Sequence, residues 1–327
     1  MADLAASYMG LKLRNPLIVA SCSLVNSTEG VQRCADAGAG AVVLKSLFEE
    51  QIEAETKEIE KHVWLAGHAE AYDYVRRIGI ETGARDYLNL VETAKKSVSV
   101  PVIASLNCIT PQWWTDYAKR IEAAGADAIE LNISVLPSDP RHSSNDIEDL
   151  HYKILEGVKN SVKVPVAVKI GPYFTSMASV AQELCNRGAS ALVLFNRFYQ
   201  IDVNTDKLNL VPGYRFSTPE EISLSLRWIS LLAGRIKCDL AATTGVHDAS
   251  GVIKQLLAGA SAVQVCSTLY MHGIGHLANI IANLELWMKK HRFESIAQFR
   301  GKLSQQESDR PELYERLQYI KALVGVE

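Results

Sequence analysis

The 327-residue chain has no long hydrophobic run and no targeting segment. A transmembrane helix needs roughly 20 consecutive apolar residues, and no stretch approaches that length. The opening residues, MADLAASYMGLKLRNP, lack the basic segment followed by an apolar one that marks a secretory signal. We therefore expect a soluble, cytoplasmic protein that does not contact a membrane.

Strong charge of either sign is also missing. The net charge is only -3, and the basic residues are spread along the chain rather than clustered. A nucleic-acid-binding protein needs a basic patch to neutralise phosphates, so no nucleic acid is expected as a partner. We expect a small-molecule substrate and leave open a homodimer.

Cysteines are few and far apart, and no CxxC pair is present to begin a zinc or iron-sulfur site. We expect reduced thiols and no metal. His272 and His276 are four residues apart and share a helical face, which with Glu285 suggests a metal site. No carboxylate lies at a short, fitting spacing, so ordinary helix surface is the favoured interpretation. The six cysteines are Cys22, Cys34, Cys108, Cys185, Cys238 and Cys266.

What the chain does contain is a repeated unit of apolar strand, helix, glycine and next strand. This order favours right-handed parallel crossovers. The strands are almost wholly apolar instead of alternating, which is typical of a sheet covered on both faces. Eight such strands are predicted, at 17–20, 40–46, 100–107, 126–132, 164–171, 189–196, 238–245 and 260–267.

Eight parallel strands separated by helices favour a closed (β/α)8 TIM barrel over the alternative, a doubly wound open sheet. At 48% hydrophobic residues, the chain can bury a large core. We predict a single domain over residues 1–327. Two long connections, at about 48–83 and 197–217, are predicted to be functional lids or small excursions.

Polar residues stand at the carboxyl ends of four of these strands, where barrels place their chemistry. Lys45 and Lys169 must desolvate an ammonium, so together they indicate an anionic ligand; the alternative for each is a lysine whose charge reaches the rim. Asn132 and Asn196 offer amide donors and acceptors that suit a heteroaromatic ring; the alternative is loop capping.

The last two strands end in ATTGV and QVCST. Barrels commonly hold a phosphate between these two loops, through free backbone N–H groups. The sequence therefore predicts a phosphate site formed by Thr243, Thr244, Gly245, Cys266 and Ser267.

Along almost the whole chain, six segments occur in this order: NPLIVAS, VVLKS, ELNIS, VPVAVKIGPYF, ATTGV and LLAGASAVQVCSTL. This ordered set resembles the dihydroorotate dehydrogenase family of flavin-dependent barrels. The resemblance implies FMN in the barrel mouth and hydride transfer from dihydroorotate, or a related small cyclic substrate, to the flavin N5. The missing membrane segment argues against the quinone-linked branch and for the soluble one.

The resemblance also implies residue roles. A cation such as Lys45 near the N1/C2 edge would stabilise the reduced flavin and so take part in the reaction. Ring contacts would come from Ala20 and Ser21. The remaining expected cofactor contacts are Lys169 at the polar edge and ribityl chain, Asn132 and Asn196 at the ring and substrate, and Thr244, Gly245, Cys266 and Ser267 at the phosphate.

One segment departs from the family pattern. The family places its proton acceptor after an Asn-x-Ser run, but here the run continues through Val135 and Leu136, neither of which can take a proton. Ser134 is a weak candidate for the base, and Cys108 or Thr110 are alternatives. At the loop expected to grip orotate stand Glu81 and Thr82.

Two other functions remain open from the sequence. One is a barrel that binds flavin or another phosphate ligand without turnover, which the missing base favours. The other is an aldolase-like barrel in which Lys45 or Lys169 forms a Schiff base.

Overall fold

The structure is a computed structural model that describes residues 2–49, 85–107, 111–197, 200–213 and 215–315. The predicted connection at 48–83 falls almost entirely outside these residues. So do Glu81, Thr82, Cys108 and Thr110.

Eight parallel strands close into a barrel. They are β3 (Leu17–Val19), β4 (Ala41–Val43), β6 (Val102–Asn107), β7 (Ala128–Asn132), β8 (Val166–Ile170), β9 (Ala191–Leu194), β12 (Asp239–Ala242) and β13 (Ala262–Val265). Starting from β4, the order is β4-β3-β13-β12-β9-β8-β7-β6, and a further pairing of β4 with β6 closes the ring. The predicted (β/α)8 barrel is thereby confirmed, because in an open sheet the outer edge of each end strand would have no partner strand.

Helices follow the strands on the outside of the barrel. Side chains cap three of them: Ser27 accepts from Gly30 N, Ser143 from Asp146 N, and Asp248 from Gly251 N. The helices are α1 (Thr28–Asp36), α2 (Arg85–Ser97), α3 (Pro111–Ala123), α4 (Ser144–Lys159), α5 (Met177–Asn186), α6 (Ile222–Leu232), α7 (Ala249–Ala258), α8 (Ser267–His272) and α9 (His276–His291).

The barrel strands are apolar on both faces because both faces are buried. Residues that point outward, such as Val102 and Ala104, pack with the helices in one large core. Their neighbours point into the barrel and form a second, smaller core of mostly small side chains. These inward residues are Ile18, Ala41, Val43, Ile103, Ala128, Ala167, Ala191, Val193, Ala241 and Ala262.

A short antiparallel hairpin of β1 (Ala6–Tyr8) and β2 (Leu11–Leu13) packs against the inward-pointing residues of the barrel. Met9 N donates to the Asp239 carboxylate at 2.7 Å, and Asp239 begins β12, so the hairpin lies at the amino end of the barrel. Tyr8 is fully buried there. No strand was expected in this segment from the sequence. Because the hairpin lies at the amino end of the barrel, the carboxyl end is the open mouth.

The connection at 197–217 contains an antiparallel hairpin, formed by β10 (Ile201–Asn204) and β11 (Asn209–Pro212). A two-residue strand, β5 (Leu47–Phe48), pairs with the carboxyl end of β6. Both elements extend the mouth side of the barrel beyond the ends of the eight strands.

The expectation that all thiols are reduced is wrong for one pair. Cys185 and Cys238 form a disulfide across 53 residues of chain. Cys185 lies in the last turn of α5 and Cys238 directly precedes β12, and β9, which follows α5, pairs with β12. The fold therefore brings together two cysteines whose sequence spacing gave no sign of pairing.

Within the described ranges, none of the helices combines the length and the apolar character needed to cross a membrane.

Candidate active site

A cavity of about 320 Å³ opens at the carboxyl ends of the barrel strands. This volume falls in the range of small-molecule sites, roughly 300 to 1,000 Å³. The structure brings every predicted cofactor-binding residue to its wall: Ala20, Ser21, Lys45, Asn132, Lys169, Asn196, Thr244, Gly245, Cys266 and Ser267. Residues that the sequence analysis did not select also line it, among them Cys22, Ser46, Phe195, Arg197, Arg215 and Ser217.

The charges that line the cavity are all positive among the described residues. Lys45, Lys169, Arg197 and Arg215 reach the wall, and no carboxylate does. The two arginines have partners outside the cavity: Arg197 pairs with Glu221 at 2.8 Å, and Arg215 with Asp202 at 3.5 Å. The wall therefore suits an anionic ligand.

Lys169 is the most deeply placed of these cations, only 9% exposed. Its Nζ lies 3.8 Å from Oε1 of Glu130, which is itself 1% exposed. The other carboxylate oxygen of Glu130 accepts from Gln264 Nε2 at 2.5 Å, across the barrel, while Oε1 has no hydrogen bond to any described residue. A buried lysine whose counter-ion lies beyond hydrogen-bond distance keeps its N–H groups available to a ligand above it.

The two predicted asparagines meet in the cavity wall. Asn196 Nδ2 donates to Asn132 Oδ1 at 2.7 Å. In β7, Glu130 and Asn132 both point inward, as the period of two predicts, and Asn132 is in register with Lys169 on β8. Within the described residues, no partner binds the Asn132 NH2 group or the Asn196 Oδ1, so both can orient a planar ligand.

The predicted phosphate site has the backbone that an anion requires. Thr244 and Gly245 both adopt left-handed conformations, with φ of 72° and 75°. A Cβ at Gly245 would lie 2.2 Å from Ile222 N, so only glycine fits. Within the described part of the chain, the N–H groups of Gly245 and Ser267 donate to no protein acceptor. A phosphate-bearing group fits these free donors.

A chain of hydroxyl groups supports the part of the wall that Ser21 and Ser46 form. Ser21 Oγ accepts from Ser46 N at 2.8 Å, and Ser46 Oγ lies 2.8 Å from Ser105 Oγ. Tyr87 OH accepts from Ser105 N at 2.8 Å and donates to its carbonyl at 3.0 Å. These bonds fix the Ser21 side of the cavity. Of these residues, only Ser21 was expected at the site from the sequence; Ser46 directly follows Lys45 at a strand end, and that position is the signal that could have indicated it.

Two thiols stand side by side in the wall, those of Cys22 and Cys266. A hydrogen bond from the Cys266 thiol lowers the pKa of Cys22 to about 7, against the effect of burial, which raises it. The same hydrogen bond, with burial, raises the pKa of Cys266. From the sequence, only the Cys266 backbone was expected at the phosphate site, and the pairing of the two thiols was not expected.

The loop after β7 does not bring a proton acceptor to the cavity. Ser134 is exposed and lies outside the wall, so its assignment as a weak base candidate gains nothing from the structure. Val135, which the family resemblance places near the base position, packs against the outer core, and Leu136 is 63% exposed.

His272 and His276 do lie together, with ring centroids 5.0 Å apart. The His276 Nε2 is 3.0 Å from the His247 carbonyl, which anchors the start of α9. No group of three His, Cys, Asp or Glu side chains able to hold a metal occurs among the described residues.

Comparison of the sequence with known proteins identifies a family that matches most of the chain. The profile of the family described as dihydroorotate dehydrogenase matches residues 3–288. The chain is 26% identical to the dihydroorotate dehydrogenase B (NAD(+)) catalytic subunit of Thermoplasma acidophilum, over 92% of this chain and 99% of that protein. It is 30% identical to the protein of the same name from Methanocella arvoryzae, over 86% and 91%. It is also 24% identical to the chloroplastic dihydropyrimidine dehydrogenase (NADP(+)) of Arabidopsis thaliana, over 91% and 76%.

Proposed function

Since the chain belongs to the dihydroorotate dehydrogenase family, we propose that it is an FMN-dependent oxidoreductase acting on a CH–CH bond of a small cyclic substrate. When bound, FMN supplies the acceptor for a hydride at its N5 position. The observation that carries the proposal is a cavity at the barrel mouth lined by four cations, no described carboxylate, and free backbone N–H groups.

Different residues of the cavity wall would bind the two ends of FMN. The N–H groups of Gly245 and Ser267 would hold the phosphate, with Cys266 and Thr244 shaping the backbone around them. The ring end would lie toward Ala20 and Ser21, which follow β3, the strand next to β13. This assignment uses the free backbone donors for the phosphate and the apolar and hydroxyl surface at Ala20 and Ser21 for the ring.

Lys45 and Lys169 would place positive charge where a reduced ring gathers negative charge. The Lys45 ammonium has no ion-pair or hydrogen-bond partner within the described residues, and Lys169 has only the distant Glu130 carboxylate. Both ammonium groups are thus available to a ligand. Asn132 and Asn196, linked to each other, would orient a planar substrate against the ring.

The substrate is dihydroorotate or a related cyclic dihydropyrimidine. Dihydroorotate follows from the family, and one similar protein is named for dihydropyrimidines. The loop after β7 differs from the family pattern and turns Ser134 away from the cavity. Because the groups that take the proton are therefore unlike the family's, we propose that dihydroorotate is oxidised slowly or that another dihydropyrimidine is preferred.

Flavin uptake tests the proposal directly. The purified protein is expected to be yellow, or to bind added FMN with quenching of flavin fluorescence. Lys169→Met and Lys45→Met should weaken uptake, each roughly tenfold or more for a lost charge-assisted contact. Lys207→Met, on the exposed hairpin, is the matched control and should bind like the parent. A protein that neither contains nor binds FMN would end the proposal.

Anaerobic mixing then identifies the substrate. Bleaching of bound flavin by dihydroorotate or dihydrouracil shows turnover and excludes the alternative of a barrel that binds flavin without reaction. That alternative rests on the position of Ser134 and Val135 outside the cavity. Absence of bleaching across dihydropyrimidines would favour it. Borohydride trapping of a lysine with a carbonyl compound would instead favour the aldolase-like function.

A further inference from the structure

The two thiols in the cavity wall belong to neighbouring strands. Cys266 directly follows β13, and Cys22 lies three residues beyond the end of β3. These strands are parallel neighbours, with Val19 in register with Val265, and Ala20 N donates to Val265 O at 2.9 Å. The backbones at the two strand ends thus lie side by side, which brings Cys22 and Cys266 to the same part of the cavity wall.

The environment of Cys22 is that of a reactive thiol. Besides Cys266, the backbone at Leu24 and Val25 and the Tyr270 hydroxyl hydrogen-bond to it and lower its pKa. A lowered pKa favours the thiolate, which is the form that attacks a disulfide. Both Cys22 and Cys266 are partly exposed through the cavity.

Cys34 provides an internal comparison. Its side chain is buried among apolar neighbours, and burial raises its pKa to about 12. Such a thiol is protonated at neutral pH and inert toward disulfides. The chain therefore holds a reactive thiol with a second thiol beside it, and a buried one that has neither property.

We propose that Cys22 and Cys266 form a redox-active dithiol that is oxidised to a disulfide by a small-molecule disulfide such as oxidised glutathione. The Cys22 thiolate attacks one sulfur of RSSR, which forms a mixed disulfide and releases RS⁻. The released thiolate takes the proton of Cys266, and the resulting Cys266 thiolate attacks Cys22 Sγ and releases the second RS⁻. One dithiol and one RSSR become one protein disulfide and two RSH, after uptake of one solvent proton to replace the one already lost from Cys22.

The disulfide would bear on ligand binding because Cys266 precedes Ser267, whose N–H lies in the phosphate site. A Cys22–Cys266 disulfide would draw the ends of β3 and β13 together and so shift the position of the Ser267 N–H. The two equilibria are linked. If the disulfide weakens ligand binding by a given factor, bound ligand disfavours disulfide formation by the same factor. This coupling rests on the proposed function, whereas the disulfide itself does not.

The test uses the full-length protein, reduced, freed of flavin and then exposed to oxidised glutathione at pH 7.5. Free thiols are blocked with N-ethylmaleimide at intervals, and peptides are mapped by mass spectrometry. The expected product is a Cys22–Cys266 linked peptide, with Cys34 still free. In Cys266→Ser, glutathione should remain attached to Cys22, because no second thiol resolves the mixed disulfide. Cys34→Ser is the matched control and should oxidise like the parent.

The outcomes are distinct. If Cys22 stays free under conditions that oxidise glutaredoxin-type dithiols, or if glutathione stays on Cys22 in the parent protein, the proposal is overturned. If the ratio of disulfide to dithiol at equilibrium in a glutathione redox buffer is the same with and without saturating FMN, the coupling to the ligand is refuted while the dithiol stands. A shift of this ratio toward the dithiol by about tenfold or more with FMN supports both. Failure to bind FMN would refute the proposed function alone.

Discussion

Replacing Glu130 by glutamine removes the only counter-ion that the described residues give to Lys169. At 3.8 Å, and at the effective dielectric of about 20 that suits protein sites, the attraction between the two charges is about 4 kcal/mol. Removing one partner of a buried pair typically costs about 3–5 kcal/mol, because the other charge stays desolvated. The amide that Glu130→Gln introduces can still accept from Gln264, so we expect the lower end, about 3 kcal/mol.

A double-mutant cycle separates this charge effect from packing. Lys169→Gln alone should also lower the free energy of unfolding by about 3 kcal/mol, because it leaves the Glu130 carboxylate unpaired. The double variant carries neither charge and should lie nearer to the parent than either single variant. The coupling energy is expected to be about 2 kcal/mol or more.

The measurement is urea unfolding of the flavin-free protein, followed by tryptophan fluorescence and circular dichroism. Glu92→Gln is the matched control: Glu92 pairs with Lys96 on an exposed face of α2, and its loss should leave stability within error of the parent. Single-variant effects that simply add in the double variant would refute the reasoning, since they would show that the two charges do not interact.

Three further predictions follow from individual residues. Gly245→Ala should destabilise the fold by about 3 kcal/mol or more and abolish FMN uptake, because its Cβ would strike the Ile222 backbone. Gly10→Ala, at a similar φ but with open space around it, should cost only about 1–2 kcal/mol. Urea unfolding and flavin titration compare the two variants. Alkylation of Cys22 by iodoacetamide should rise with a midpoint near pH 7, and Cys266→Ala should move that midpoint toward the ordinary value of about 8.5; an unchanged midpoint would contradict the thiol hydrogen bond. Burial lowers the pKa of His151, so folding favours its neutral form: its contribution is fully present above about pH 6.5 and is lost as pH falls toward the folded pKa. His151→Gln should therefore flatten the fall in unfolding free energy between about pH 6.5 and 5, and an equally steep fall would show that other groups cause it.

Much of the cavity wall could be predicted because of a geometric rule. In a parallel barrel every strand delivers its carboxyl end to the same rim, so residues far apart in sequence are brought together once the strands are known. Lys45, Asn132, Asn196 and Gly245 could all be placed at the mouth for this reason, and the structure finds them there. Their roles toward FMN and substrate stay predictions until binding is measured.

Ser134 could not be placed by the same rule, because it lies beyond the strand. Where a loop residue goes depends on what the loop packs against, and here Val135 is drawn to the outer core while Ser134 remains exposed. The family pattern was informative about the strand and not about the loop that follows it. The search for a proton acceptor therefore needs the structure.

The sequence by itself determined the eight strands, the barrel and the residues at its rim, because local apolar patterns and strand order suffice for these. Only the tertiary structure decided which side chains pair across the barrel. Glu130 meets Gln264 from 134 positions away, the hairpin holding Tyr8 packs against the inward-pointing core at the amino end, and Cys22 meets Cys266 at adjoining strand ends. Such contacts depend on closure of the ring, and no local pattern in the chain encodes where its first and last strands meet.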